Sequence, residues 1–332
     1  MSCLKTPIIF LIFRRPDLTA QVFEAIRQAK PTKLLVVADG PRNEDEVVLC
    51  QQSREITEPI DWECEVFRNY SDVNLGCRER VASGITWAFE QVEEAIILED
   101  DCLPHPSFFR YCSELLAHYR DDERIWCISG DNFQDGQKRG DGSYYFSRYN
   151  HCWGWASWRR CWQHYDGDLK QWTHLKASGL LDTIFEDSLE RDYWTKIWDR
   201  LLLENQPDSW AYRWTLTCLA NSGLTILPNV NLVSNIGFRE DATHTKGEAK
   251  PTPTLEDIGT LCHPSFVIRD RAADEYTFDH VFGGNVMREA NTLSSRLRSH
   301  LSISKGRIIR LFTDPIGLFT AMVSRILPVK SL

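Results

Sequence analysis

The chain lacks most of the short patterns from which an enzyme class is read directly. No Cys-x-x-Cys pair occurs among its eleven cysteines, so a zinc ribbon has no support. No Gly-x-Gly-x-x-Gly follows the first apolar run, which disfavours a nicotinamide enzyme. No internal repeat is apparent. The longest unbroken apolar stretch, residues 7–13, is far too short to cross a bilayer. The N-terminus shows no charged, then apolar, then cleavable layout, so no secretory signal is expected. The cysteine count is odd and several thiols sit in apolar runs such as Trp126-Cys127-Ile128. Reduced cysteines in a cytoplasmic protein fit this better than a disulfide framework.

What is present is ordinary globular composition. The 332 residues are 42% hydrophobic and 26% charged, which excludes wholesale disorder and fibrous repeats and suits one large or two fused domains. The net charge of −9 is uneven. From Asn285 onward there are eight Lys/Arg against two Asp/Glu, leaving a body near −15 and a tail near +6. A body that acidic is a poor match for a phosphate backbone, so no nucleic acid partner is expected.

Strand and helix signals alternate through the first 120 residues. Ile8–Phe13, Leu34–Ala38 and Ala95–Leu98 are short apolar runs without alternation, the pattern of strands buried on both faces of a parallel sheet; Glu65–Arg68 is a further strand candidate. Between them Leu18, Val22, Ile26 and Ala29, then Val81, Ile85, Phe89 and Val92, recur at helical spacing. The pattern predicts an α/β fold, a mostly parallel Rossmann-like sheet with helices on both faces. Ligands of such sheets bind beyond the carboxyl ends of strands. That directs attention to Arg14-Arg15-Pro16, Asp39-Gly40, the stretch from Asn69 to Gly76, and Glu99-Asp100-Asp101.

Past Asn132 the character changes, with nine of the twelve tryptophans between Trp153 and Trp214. The reading is of a nucleotide-binding half at 1–132 and a Trp-rich mixed subdomain at 133–245, packed on the sheet edge. A linker and surface segment follows at 246–284, then a basic amphipathic tail at 285–332. Such a tail can lie on an anionic membrane surface; docking on the acidic body, or pairing of subunits, explains it equally well.

Three adjacent carboxylates repel one another, a cost that makes sense where a cation collects them. Oxygen ligands select Mg²⁺ or Mn²⁺. Residues two apart on a strand lie roughly 6.5 Å apart, so Glu99 and Asp101 do not easily grip one ion. Asp101, furthest from the strand, is the better metal candidate. The alternative is a solvated acidic turn before a helix near Pro106.

The segment Ile97-Leu98-Glu99-Asp100-Asp101-Cys102-Leu103-Pro104-His105-Pro106-Ser107-Phe108-Phe109 resembles the metal-motif segment of GT-A-fold glycosyltransferases. The likeness is to inverting N-acetylglucosaminyltransferases and to bacterial nucleotide-diphospho-sugar transferases often labelled haemolysin-like, over roughly residues 5–245. The resemblance implies that Arg14 in Phe13-Arg14-Arg15-Pro16 lies near the nucleotide and that Asp39, with Gly40, meets base or ribose. It sets Asn74-Leu75-Gly76-Cys77-Arg78 before the pyrophosphate, with Arg78 as a phosphate partner. It assigns Glu99 to the ribose, Asp100 to the donor sugar and Asp101 to the metal. Asp208 is the nearest match to the family's base, although Ala211 stands where an acid is expected; an N-cap for the following helix is the competing reading, and Glu186 and Asp187 are weaker alternatives. Trp153 and Trp155, in a Trp-Gly-Trp segment, match an aromatic wall for a sugar, while core packing accounts for many of the tryptophans. His244 matches a late metal ligand, and Arg239 a phosphate contact.

The implied activity is metal-dependent, inverting transfer of a sugar, N-acetylglucosamine as the first guess, from a UDP-sugar to a glycan or glycolipid hydroxyl. The implied location is cytoplasmic, with peripheral contact at the inner face of the plasma membrane. Two alternatives stand beside it: a catalytically silent sugar- or nucleotide-binding protein on the same fold, and a sugar nucleotidyltransferase, for which the first strand lacks a Gly-rich phosphate loop.

Overall fold

The computed structural model describes residues 3–238 and 254–300, without the side chains of 293–300. His244, Arg239 and the tail beyond His300 lie outside the described residues. The first part alternates as expected: β1 (Ile8–Ile12), α1 (Pro16–Ala29), β2 (Lys33–Ala38), α2 (Glu44–Ile56), β3 (Glu65–Tyr70), α3 (Gly76–Gln91) and β4 (Glu94–Glu99). There follow β5 (Cys102–Pro104), α4 (Pro106–His118), β6 (Ile125–Ser129), β7 (Tyr144–Ser147) and β8 (Trp155–Trp158). A helical stretch comprises α5 (Arg159–Trp162), α6 (Lys170–Ser178), α7 (Leu181–Ile184), α8 (Ser188–Glu204) and α9 (Ala211–Ala220). The chain then forms β9 (Leu224–Pro228), β10 (Val233–Asn235), α10 (Arg271–His280) and α11 (Gly284–His300).

Eight strands make one sheet in the order β3-β2-β1-β4-β8-β6-β9-β7. Six run one way; β8 and β7 oppose them. The mostly parallel α/β architecture is therefore the one the apolar runs indicate, and every residue of β1 is buried. The chain winds from β1 through β2 to β3, then crosses back to place β4 on the other side of β1. That reversal creates a crevice beyond the carboxyl ends of β1 and β4.

The expected break at residue 132 is not a break in the sheet. β7, β8 and β9 continue it, with β8 inserted between β4 and β6. The tryptophans are the reason. Trp155, Trp162, Trp210 and Trp214 join the core of β1–β4, with Trp155 stacked on Trp210 at 5.5 Å between ring centres. A second cluster gathers Trp172, Trp194 and Trp198 with Tyr149, Tyr193 and Phe278. Within the segment read as linker and surface, α10 is docked. Its Asp274 is 0% exposed, bonded to Ser147 and paired with Arg269. Nearby, Arg148 pairs with Glu190 below the surface. The eleven cysteines are unbridged. Among the described residues no helix is long and apolar enough to cross a membrane.

Candidate functional site

β1 and β4 end side by side, with Leu11 opposite Glu99. Beyond β1 the chain turns through Arg15 into α1, and beyond β4 through Asp100 and Asp101 into β5. Arg15 fills the gap, one guanidinium nitrogen bonded to Asp100 Oδ1 and the other 2.9 Å from Asp101 Oδ2. Asp100, 3% exposed, also accepts the Phe13 N–H at 3.3 Å. Burial opposes the Arg15 charge, and the two carboxylates outweigh it. Arg14, named above for the nucleotide, points instead toward Glu46, at 3.2 Å. Both arginines lie past Ile12, the last residue of β1, in the turn before α1, and it is Arg15, at the N-cap position of α1, that turns to the carboxylates.

Glu99 lies lowest. Burial, then the charges of Asp101 and Asp100, push its carboxyl up to about 8 against the pull of Arg15 and a hydrogen bond from Trp210. Asp100 is also raised by burial, with Arg15 opposing. Residues 233–237 cross over this turn. β10 pairs with β5, and the Ile236 N–H donates to the Asp101 carbonyl at 2.8 Å. Any side chain at Gly237 would collide, since a β-carbon there would stand 2.3 Å from Asp101 Oδ2.

Asp39, at the end of β2, is a clamp. Oδ1 accepts the N–H groups of Gly40 and Leu75, both at 2.9 Å, and Oδ2 accepts Gly76 N–H at 3.1 Å and Asn74 Nδ2 at 3.0 Å. Burial raises this carboxyl, with the backbone N–H groups opposing. Asp208 closes the same loop from 131 residues away, accepting Cys77 N–H at 3.0 Å. It caps α3, not the Trp210 helix; α9 has no side-chain cap. Gly76 has φ +82°, and a β-carbon there would stand 2.8 Å from Asp208 Oδ2. The Gly76 and Cys77 amides at the expected pyrophosphate-facing helix start are thus held by the chain's own carboxylates. Arg78 turns to Asn205 at the end of α8. Glu186 pairs with Arg269 and Arg148, and Asp187 caps α8.

These pieces meet around Cys77, whose thiol burial pushes up, aided by Glu99, Asp208, Asp101 and Asp39 in that order. Ends of β2 and β4 and the approach to α9 therefore share one small region. Trp155 does not face it. Its indole is 1% exposed within the tryptophan core, so the expected sugar contact at Trp155 is corrected to packing. Trp153 is partly exposed, against Phe133 and Phe238 at 5.4 and 5.5 Å. Among the described residues no three His, Cys, Asp or Glu side chains are grouped to hold a metal ion.

Sequence reasoning missed Arg15, Gly237, Asp131, Asn150 and His151. Asp131 had a signal, since it follows β6, another strand parallel to β4. Its carboxyl is raised by burial, and Oδ2 accepts Trp153 N–H at 3.0 Å.

No family model matches the chain, and no curated protein matches it. Among solved structures, the inositol-1-phosphate CTP transferase from T. maritima is 11% identical over 75% of this chain and 94% of that one, with a TM-score of 0.36. HddC from Yersinia pseudotuberculosis is 8% identical over 49% and 81%, at 0.30. A UDP-glucose pyrophosphorylase complexed with UDP-glucose is 9% identical over 48% and 70%, at 0.26. Likeness of this degree carries no argument about what the chain does.

Proposed function

We propose that the protein is an inverting glycosyltransferase that takes a sugar from a nucleotide diphosphate, UDP in the first instance, and passes it to a glycan or glycolipid hydroxyl. The observation that carries this reading is the convergence of Glu99, Asp101, Asp39 and Asp208 around the entrance of α3, with Asp39 and Asp208 on its Gly76 and Cys77 amides.

Asp101 suits a divalent cation that keeps one or two protein carboxylates and completes its shell from substrate phosphates. Its partner Arg15 exchanges a carboxylate for a phosphate oxygen without losing charge pairing. When bound, the cation supplies neutralising charge to the departing diphosphate. In this reading Glu99 and Asp100 accept hydrogen bonds from ribose and sugar hydroxyls. Asp208 is the base. Oδ2 is fixed by Cys77 N–H, leaving Oδ1 to take the acceptor proton as the new C1–O bond forms and the bond to diphosphate breaks. The charge at this site leaves the silent-binder alternative to be decided by turnover.

Titration calorimetry with UDP, with and without Mn²⁺, tests the donor site. Metal-dependent affinity is expected, lost in Asp101→Ala. Asp208→Asn keeps an acceptor for Cys77 N–H but removes the base, so transfer is expected to fall by about 100-fold or more with UDP affinity retained. Undiminished transfer in Asp208→Asn refutes the base. Release of pyrophosphate from UTP and a sugar 1-phosphate marks a nucleotidyltransferase instead.

A further inference from the structure

Beside the carboxylates, three residues carry polar atoms that the fold leaves unmet. Both amide atoms of Asn150, Nε2 of His151 and Oδ1 of Asp131 are buried without a hydrogen-bond partner. His151 and Asp131 are 8% and 1% exposed. Asn150 is the one side chain among the described residues to be unmet at two atoms. Each such atom costs about 1–3 kcal/mol, and Asn150 bears that cost at both ends of its amide.

Asn150 adjoins His151 in the chain, and Phe133 and Trp153 tie His151 to Asp131. Trp153 N–H binds Asp131, and Gly130 N–H donates to the Gly154 carbonyl at 2.8 Å. Phe133 touches both His151, at 4.6 Å between ring centres, and Trp153, at 5.4 Å. The unit borders the carboxylates. Trp153 meets Phe238, the neighbour of Gly237, and Cys152 lies within the field of Glu99 and Asp131. On its far side Phe282 stacks over His151 at 6.4 Å and 12°.

We propose that Asn150 and His151 form the acceptor subsite and that it receives a neutral pyranoside. This rests on the transferase reading above. An amide sets a donor beside an acceptor, matching two adjacent ring hydroxyls, each of which both gives and takes. Burial holds the His151 imidazole down to about 3, so at neutral pH it is uncharged and the unmet Nε2 gives to or takes from a third hydroxyl according to its tautomer. Phe133 and Trp153 offer flat apolar faces to the C–H side of the ring. A phosphorylated or uronic acid acceptor would want a cation, and this unit contributes none. Phe282 stacks over His151 and also packs on Tyr149 and Trp194, at 5.1 and 5.2 Å between ring centres, so entry of a sugar ring requires it to move.

The test is saturation-transfer NMR on the full chain with the methyl glycosides of glucose, galactose, mannose and N-acetylglucosamine, with methyl glucuronide and mannose 6-phosphate as charged controls. Each is run with and without UDP and Mn²⁺. Asn150→Leu removes two unmet atoms and His151→Phe removes the unmet Nε2 together with Nδ1, so both variants are expected to melt at or above the native temperature. At least one neutral glycoside is expected to bind, ten-fold or more weakly in each variant, with UDP affinity unchanged. Equal binding by variants and native protein, preference for the charged sugars, or no glycoside binding overturns the subsite. Glycoside binding without any UDP binding overturns the donor reading and leaves this one standing.

Discussion

Replacing Asp39 by asparagine changes one atom and a charge, and it separates a loop clamp from a nucleotide ligand. In the native protein two carboxylate oxygens accept four N–H groups between 2.9 and 3.1 Å. Asparagine keeps one oxygen, and its NH₂ must face two of the donors. Two bonds to a charged acceptor are lost, at about 1.5–3 kcal/mol each. Part of that returns, because burial already disfavours the Asp39 charge. A net loss of about 2 kcal/mol remains, lowering the melting temperature by about 3 °C at an unfolding entropy of about 2.1 cal/mol/K per residue. The loss is local, so amide exchange at Leu75 and Gly76 should quicken about 30-fold. Calorimetry and hydrogen exchange read the two effects without any ligand. A melting point within about 1 °C of native, with unchanged exchange at both amides, refutes the clamp.

Two other perturbations bear on the same architecture. His151 has a folded-state pKa of about 3 against an ordinary 6.5, so below pH 6.5 the unfolded chain takes a proton that the folded one refuses. Its contribution is present above pH 6.5 and is lost as pH falls toward 3, at up to about 1.4 kcal/mol per pH unit. Urea denaturation should therefore show His151→Phe losing about 2 kcal/mol less than the native protein between pH 7 and pH 5; parallel losses contradict the burial. Trp155→Ala should cost about 3–5 kcal/mol of stability as a core truncation; a native urea midpoint with weakened sugar binding would restore the contact role that the structure removes.

The parallel strands were legible because each is buried on both faces. Ile8–Ile12, Leu34–Ala38 and Ala95–Leu98 have no polar residue to blur them. Their ends were equally legible, since acids directly after such runs are conspicuous. Which side chain faces the carboxylates was not: Arg14 and Arg15 are equivalent in sequence, and only the path of the turn between β1 and α1 separates them. β8 was hidden because Trp155–Trp158 pairs with strands distant in the chain, and tryptophans of two different cores look alike when written in a row. α10 was hidden because its buried stripe includes Asp274 and Thr277 beside Ala273 and Phe278, polar residues that apolar periodicity does not count. Unmet atoms at Asn150 and His151 follow from what surrounds them, which no local pattern encodes.

The position of β8 bears on any attempt to divide the protein. A fragment ending at residue 132 would keep β4 and β6 but remove the strand between them, leaving β4 bare along one side and β6, which also loses β9, bare along both. Those two strands are Ile- and Leu-rich, and such bare edges recruit other chains. Truncation at the apparent boundary would thus yield a sticky half-sheet, and dissection is better pursued by point substitution in the intact chain.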